Sequence, residues 1–197
     1  MKYIRASYKN HSKVYNILFF GISISITLGL IISLCLDNEL VINIYNYFLE
    51  HLKNYNSNIF NNLLYPIVIY SCIFILSLTL IGFFIPFLAI FIENMSIGLL
   101  LGILLKNSSL KGLLFGIIYF SITKLLYLLV LIYLTINIYK FIKTLLLSIN
   151  KKSNESIYNI YSNILIKLLF CIIFITIINV LNIFIAPKLF KLFIFLL

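Results

Sequence analysis

Hydrophobic and polar positions alternate along this chain in long blocks rather than at strand or single-turn spacing. Apolar runs cover 14–36 and 63–105, then 112–139, and finally 168–186, with polar segments at 37–62, 106–111 and 140–167 between them. Each block reaches or exceeds the roughly 20 residues needed to cross a bilayer. The run from 63 to 105 is 43 residues long with Glu93 as its single charge. As one helix it would measure about 64 Å, twice a hydrocarbon core of about 30 Å, so it must break. The break falls in "IGFFIP", where Gly82 and Pro86 bracket two phenylalanines and Pro86 suits the first turn of a new helix. The pattern therefore predicts an all-α, polytopic membrane protein with about five transmembrane helices in a single domain. The spans are 14–36, 64–81, 86–105, 112–139 and 168–186; an interfacial tail occupies 187–197 beyond Pro187. "LVINIYNYFLEHL" within 37–62 has near-helical apolar spacing and reads as a short interfacial helix.

Composition strengthens this picture. Hydrophobic residues make up 63% of the 197 and charged ones 10%, far from the balance of a soluble domain. In a soluble chain the net charge of +10 would suggest nucleic acid. Here the basic residues cluster in connecting segments, so the lipid bilayer accounts for them and nucleic acid is not an expected partner. Nine basic residues fall in the start of the chain and the 140–167 segment, and five in the alternate segments. This asymmetry predicts a cytoplasmic N-terminus in a bacterial cell membrane, with the first span retained as a signal anchor. Cys35, Cys72 and Cys171 lie in apolar runs without paired spacing and read as buried, inert thiols; His11 and His51 stand alone. Neither a metal nor a cofactor is expected.

The candidate functional residues are the polar and small ones inside the apolar runs. If "KNSSLK" at 106–111 is a hairpin turn pivoting between Ser108 and Ser109, Glu93 and Lys124 are equidistant from the pivot and share one depth. A lone charge at the helix centre costs about 2.5–3.5 kcal/mol, which an ion pair would reduce. The helical wheel complicates that pair. It turns Glu93 about 140° from Gly98 and leaves Asn94 within about 40° of it. Gly98 and Gly102, with Gly112 and Gly116, form two small-xxx-small steps that predict close packing of the third and fourth spans. Ser121 and Lys124 have the spacing of a serine–lysine dyad, but no third group orients them, and a serine bonding back to its own helix is the commoner arrangement. No catalytic site is expected. Glu93, Asn94 and Lys124 also suit an ion or solute path, although five spans with few polar residues make a sparse conduit.

The layout of basic start, first span and polar loop, followed by "PFLAIFIENMSIGLLLGILLKNSSLKGLLFGIIYF", resembles the stage II sporulation protein M family. Asn94, Gly98 and Gly102, then Gly112 and Gly116, occupy the places of that family's asparagine–glycine motif and Gly-Leu-rich fourth span. Met95 stands where the family tends to have glycine, and "SITK" replaces a proline-containing polar stretch. The resemblance implies a non-catalytic membrane scaffold acting during engulfment of the forespore. Its implied partners are membrane-anchored peptidoglycan hydrolases, a lytic transglycosylase and an amidase or endopeptidase. A homo-oligomer is compatible with the same residues. The alternative is a small membrane transporter or channel using Glu93, Asn94 and Lys124.

Overall fold

The computed structural model describes residues 2–53, 59–79, 82, 84–150 and 156–193. These form helices α1 (Lys2–Cys35), α2 (Asn38–Lys53), α3 (Ile59–Leu76), α4 (Phe84–Thr123), α5 (Leu125–Ile149) and α6 (Ile157–Phe193). Four of the helices, α1, α4, α5 and α6, are long and apolar enough to cross a membrane, and α3 adds a shorter apolar stretch at Leu63–Leu76. The protein is all-α and polytopic, as the block pattern requires.

The break before Pro86 forms as expected. After α3 the chain turns, with the Gly82 amide donating to the Thr79 carbonyl at 3.0 Å and to the Thr79 hydroxyl at 2.9 Å. Gly82 has no room for a side chain, because a Cβ there would run into the Leu76 carbonyl oxygen. α4 then starts at Phe84 with Pro86 in its first turn, where no intrahelical N–H is lost. Span two is displaced along the chain, its helix running Ile59–Leu76 rather than over 64–81.

The second turn is tighter than the six residues expected. Helix runs up to and away from Ser109, which alone takes φ 53°, ψ −147°. That one residue reverses the chain. A Cβ on Gly112 would lie 2.5 Å from the Leu104 carbonyl oxygen, and one on Gly116 would lie 2.7 Å from Leu101 and 2.8 Å from Leu104. In a straight helix, residues 12 to 15 apart would be separated by about 18–22 Å. α4 is therefore a hairpin of two arms, 84–108 and 110–123, pivoting where the sequence places its centre. The second arm runs on through Lys124 into α5, since the Lys124 amide donates to the Phe120 carbonyl and the Leu128 amide to the Lys124 carbonyl.

Gly98 and Gly102 do not face the fourth span. A Cβ on Gly98 would strike the Ile26 carbonyl oxygen, and one on Gly102 the Ser33 hydroxyl; reciprocally, a Cβ on Gly29 would strike the Met95 carbonyl oxygen. These contacts advance together along both chains, so α1 and the first arm of α4 run parallel. Their seam sets Ile26, Gly29 and Ser33 against Met95, Gly98 and Gly102. The Ser25 and Ser33 hydroxyls are fully buried and bonded within α1, to Ile22 and Leu30. Lipid offers helices no hydrophobic drive to associate, and small residues let the two backbones gain dispersion contact instead. The expected close packing of spans three and four holds only on the side of Gly112 and Gly116.

Several helix ends lie beyond the expected span limits. α5 continues past 139 to Ile149, and α6 begins at Ile157 instead of 168, so the polar 140–167 segment is largely helical. Pro187 does not end the last helix: α6 passes through it to Phe193, and the expected interfacial tail is helical over 188–193, its last four residues lying outside the described ones. Cys35 and Cys72 are exposed on the helix surface; only Cys171 is buried.

α6 runs antiparallel to the second arm and α5, as shown by the pairs Asn182–Thr123 and Tyr161–Phe141. Two apolar clusters result. One joins α3, α5 and α6 through Phe74, Leu131, Ile138 and Ile175. The other joins α2, the α4 hairpin and the end of α6 through Leu52, Leu104, Phe115 and Phe190. At the hairpin tip the Lys106 amine donates to the Leu36 carbonyl at the end of α1 (2.9 Å), and Tyr45 of α2 meets the Ser108 hydroxyl (2.9 Å).

Two substitutions test this frame. Gly98→Ala forces backbones apart and is expected to destabilise the fold by about 1–3 kcal/mol, whereas Gly21→Ala, in open space, leaves it unchanged. Ser109→Gly relieves a backbone conformation that costs about 1–3 kcal/mol in a residue with a Cβ and raises stability. Thermal unfolding in detergent, followed by circular dichroism, checks both.

Candidate functional site

The hairpin sets the depth of the candidate residues. With the pivot at Ser109, Glu93 on the first arm and Lys124 at the end of the second come to the same level, and both line one cavity of about 570 Å³. α3 supplies Tyr70 to its wall, α5 Tyr127, α6 Asn179 and Asn182, and α2 His51. The cavity lies where the two apolar clusters meet, between Tyr70 and Tyr127 of one and Tyr119 and Phe120 of the other.

Sharing a depth does not produce a direct ion pair. The Tyr70 hydroxyl donates to Glu93 Oε1. The Lys124 Nζ instead lies 5.5 Å from the centroid of the Tyr127 ring, a cation–π distance. The two tyrosines stack at 5.8 Å with 13° between their planes. Each charge is thus held by one ring of a stacked pair, and the expected counter-ion contact is replaced by an aromatic bridge.

The network continues onto α6. The Tyr127 hydroxyl donates to Asn179 Oδ1. Asn182 Nδ2 donates to the Thr123 carbonyl at 3.0 Å, while the Thr123 hydroxyl donates one turn back to Tyr119 at 2.8 Å. This leaves Asn179 Nδ2, in a residue only 3% exposed, as a buried donor with no partner. A buried amide N–H without an acceptor costs about 1–3 kcal/mol. Here that donor belongs to a residue lining the cavity. On the α2 side, partial burial holds the His51 pKa below its ordinary 6.5. Glu93 and Lys124 supply the cavity's formal charges.

The remaining candidates have other roles. Asn94 is 3% exposed and donates within its own helix to the Ile90 carbonyl at 2.7 Å, and it does not line the cavity. Gly98, Gly102, Gly112 and Gly116 are packing positions. Ser121 is exposed and does not line the cavity beside Lys124, and Ser96 donates to the Ile92 carbonyl at 2.9 Å. No group of three or more His, Cys, Asp or Glu able to hold a metal occurs among the described residues.

The sequence reading missed Tyr70, Tyr127, Asn179 and Asn182. The asparagines had a usable signal: two carboxamides three residues apart in an otherwise apolar run share a helix face. The tyrosines had none, since aromatic residues are plentiful in every span.

Removing one hydroxyl tests the bridge. Tyr70→Phe takes away the donor to Glu93 and is expected to cost about 1.5–3 kcal/mol, the range for a hydrogen bond to a charged group. In the Glu93→Gln background the same change costs less. A double-mutant cycle of thermal unfolding measures that coupling.

Comparison of the chain with protein-family models, with curated proteins and with solved structures returns no match, so the likeness to the sporulation family rests on the sequence pattern alone.

Proposed function

We propose that this chain is a membrane-embedded solute-binding protein that carries a small polar or charged solute through the bilayer by way of the Glu93–Lys124 cavity. The observation that supports this reading is convergence: a carboxylate and an ammonium from the two arms of the α4 hairpin and a buried amide donor without a partner from α6 line one cavity. Its volume, about 570 Å³, falls in the range of small-molecule sites, which are mostly apolar with a few directed polar groups. The α1–α4 seam is closed by small residues and does not involve these two charges. Ionisable residues inside a membrane are costly, and they commonly mark a substrate or ion path.

Reconstituted vesicles provide the test. The wild type is expected to show saturable uptake of a solute from a panel of amino acids, organic acids and inorganic ions. Glu93→Gln and Lys124→Met are each expected to cut that uptake at least tenfold while leaving the amount of inserted protein unchanged. If wild-type vesicles take up none of the panel above the protein-free background, the transport reading is wrong.

A scaffold that gathers peptidoglycan hydrolases is the second reading. It is favoured by the Asn94–Gly98–Gly102 pattern and by the tying of the hairpin tip to α1 and α2, which makes a stiff frame. Because the motif residues are buried in the frame, partners on this reading would bind the outer helix faces. Affinity purification from host membranes is then expected to recover a lytic transglycosylase and an amidase or endopeptidase in amounts comparable to the bait.

A further inference from the structure

A second polar cleft lies between α5 and α6, away from the Glu93–Lys124 cavity and toward the end of the bundle where α1 begins. Lys140 and Thr144 of α5 and Asn163 and Lys167 of α6 line it, above the packed side chains of Phe141 and Ile164, in a volume of about 130 Å³. Asn137 closes its inner end, with its amide donating to the Tyr133 carbonyl at 2.8 Å. The Thr144 hydroxyl donates to its own helix, to Lys140 at 3.0 Å and Phe141 at 2.9 Å.

The charge arrangement is unusual. Two partly buried lysines line the cleft from facing helices, and no carboxylate lines it among the described residues. Like charges held this close repel, and an anion seated between them converts that repulsion into two attractions. Depth narrows the choice of anion. On α5 the charge-free apolar run ends at 139 and on α6 it begins at 168, so Lys140 and Lys167 are the charges bordering these two runs, the positions at which basic side chains meet headgroups. The surface leading inward from the cleft is apolar. Tyr133 lies one turn from Asn137, and Phe170 and Phe174 continue the Lys167 face of α6; all three are at least half exposed. Basic pockets between transmembrane helices at this level hold anionic headgroups.

We propose that the Lys140–Lys167 cleft binds the phosphate of an anionic phospholipid, whose acyl chains lie along Tyr133, Phe170 and Phe174. The lipid bridges α5 and α6 where their helices leave the hydrocarbon.

The full-length protein is purified in a neutral detergent and exposed to phosphatidylglycerol, phosphatidylcholine or inorganic phosphate. Retained lipid is counted by native mass spectrometry and the melting temperature is recorded. The expected result is at least tenfold preferential retention of phosphatidylglycerol, with a higher melting temperature. Lys140→Gln with Lys167→Gln abolishes that preference, Lys140→Arg with Lys167→Arg keeps it, and Lys143→Gln, outside the cleft, leaves it unchanged. If the double glutamine variant does not fold, each single glutamine variant is expected to lower the preference at least threefold. Equal retention of the two lipids overturns the proposal. So does an effect of Lys143→Gln as large as that of the cleft variants, or stabilisation by inorganic phosphate with no lipid preference.

Discussion

Reversal of the backbone at Ser109 is the constraint from which the rest of the architecture follows. Turning two helical arms back on each other within one residue fixes their register, because no loop is present to let either arm slide. Fixed register puts Glu93 opposite the Lys124 level and sends the second arm on into α5. It also presents the outer face of the first arm to α1, where the glycines meet the small residues of that helix. Hairpin, seam and cavity are three results of one dihedral choice. The contacts of Lys106 with Leu36 and of Ser108 with Tyr45 hold the bend in place.

The cavity shows how a membrane interior accommodates opposite charges without joining them. A direct ion pair would be the simplest way to lower the cost of burial. Instead a stacked tyrosine pair stands between the two charges, with a hydroxyl toward the carboxylate and a ring face toward the amine. Both charges are only half buried, and both remain at the cavity wall. An arrangement that satisfied them fully on each other would leave less for a ligand to engage.

Much of this was legible in the sequence, and the exceptions share a physical cause. Hydropathy locates the apolar blocks that become long helices, and the expected pivot between Ser108 and Ser109 is where the chain turns. Hydropathy does not locate helix ends. Lys, Thr and Leu around 140–149 are good or tolerable helix formers, so α5 continues after the hydrocarbon stops; α6 likewise begins well before 168. Pro187 was read with the rule for soluble helices, whereas helices of membrane proteins tolerate proline when neighbouring groups re-satisfy the backbone. Gly98 packs on α1 rather than on the fourth span because its complementary face is not one of glycines alone. That face on α1 mixes Gly29 with Ile26 and Ser33, whose hydroxyl bonds back into its own helix. At the site, charge points to Glu93 and Lys124 but not to Asn179 and Asn182, which carry no charge yet must find partners when buried.

The parallel seam between α1 and the first arm of α4 also constrains how the protein is made. Two parallel neighbours cannot be consecutive helices, so Gly29 leaves the ribosome long before Gly98 exists to meet it. During that interval α1 sits in lipid with a serine–glycine groove that no other segment fills. Its hydroxyls, turned back onto Ile22 and Leu30, make the waiting state tolerable, since no polar atom on the groove needs the absent helix. Docking of the first helix in this fold therefore waits for the first arm of α4.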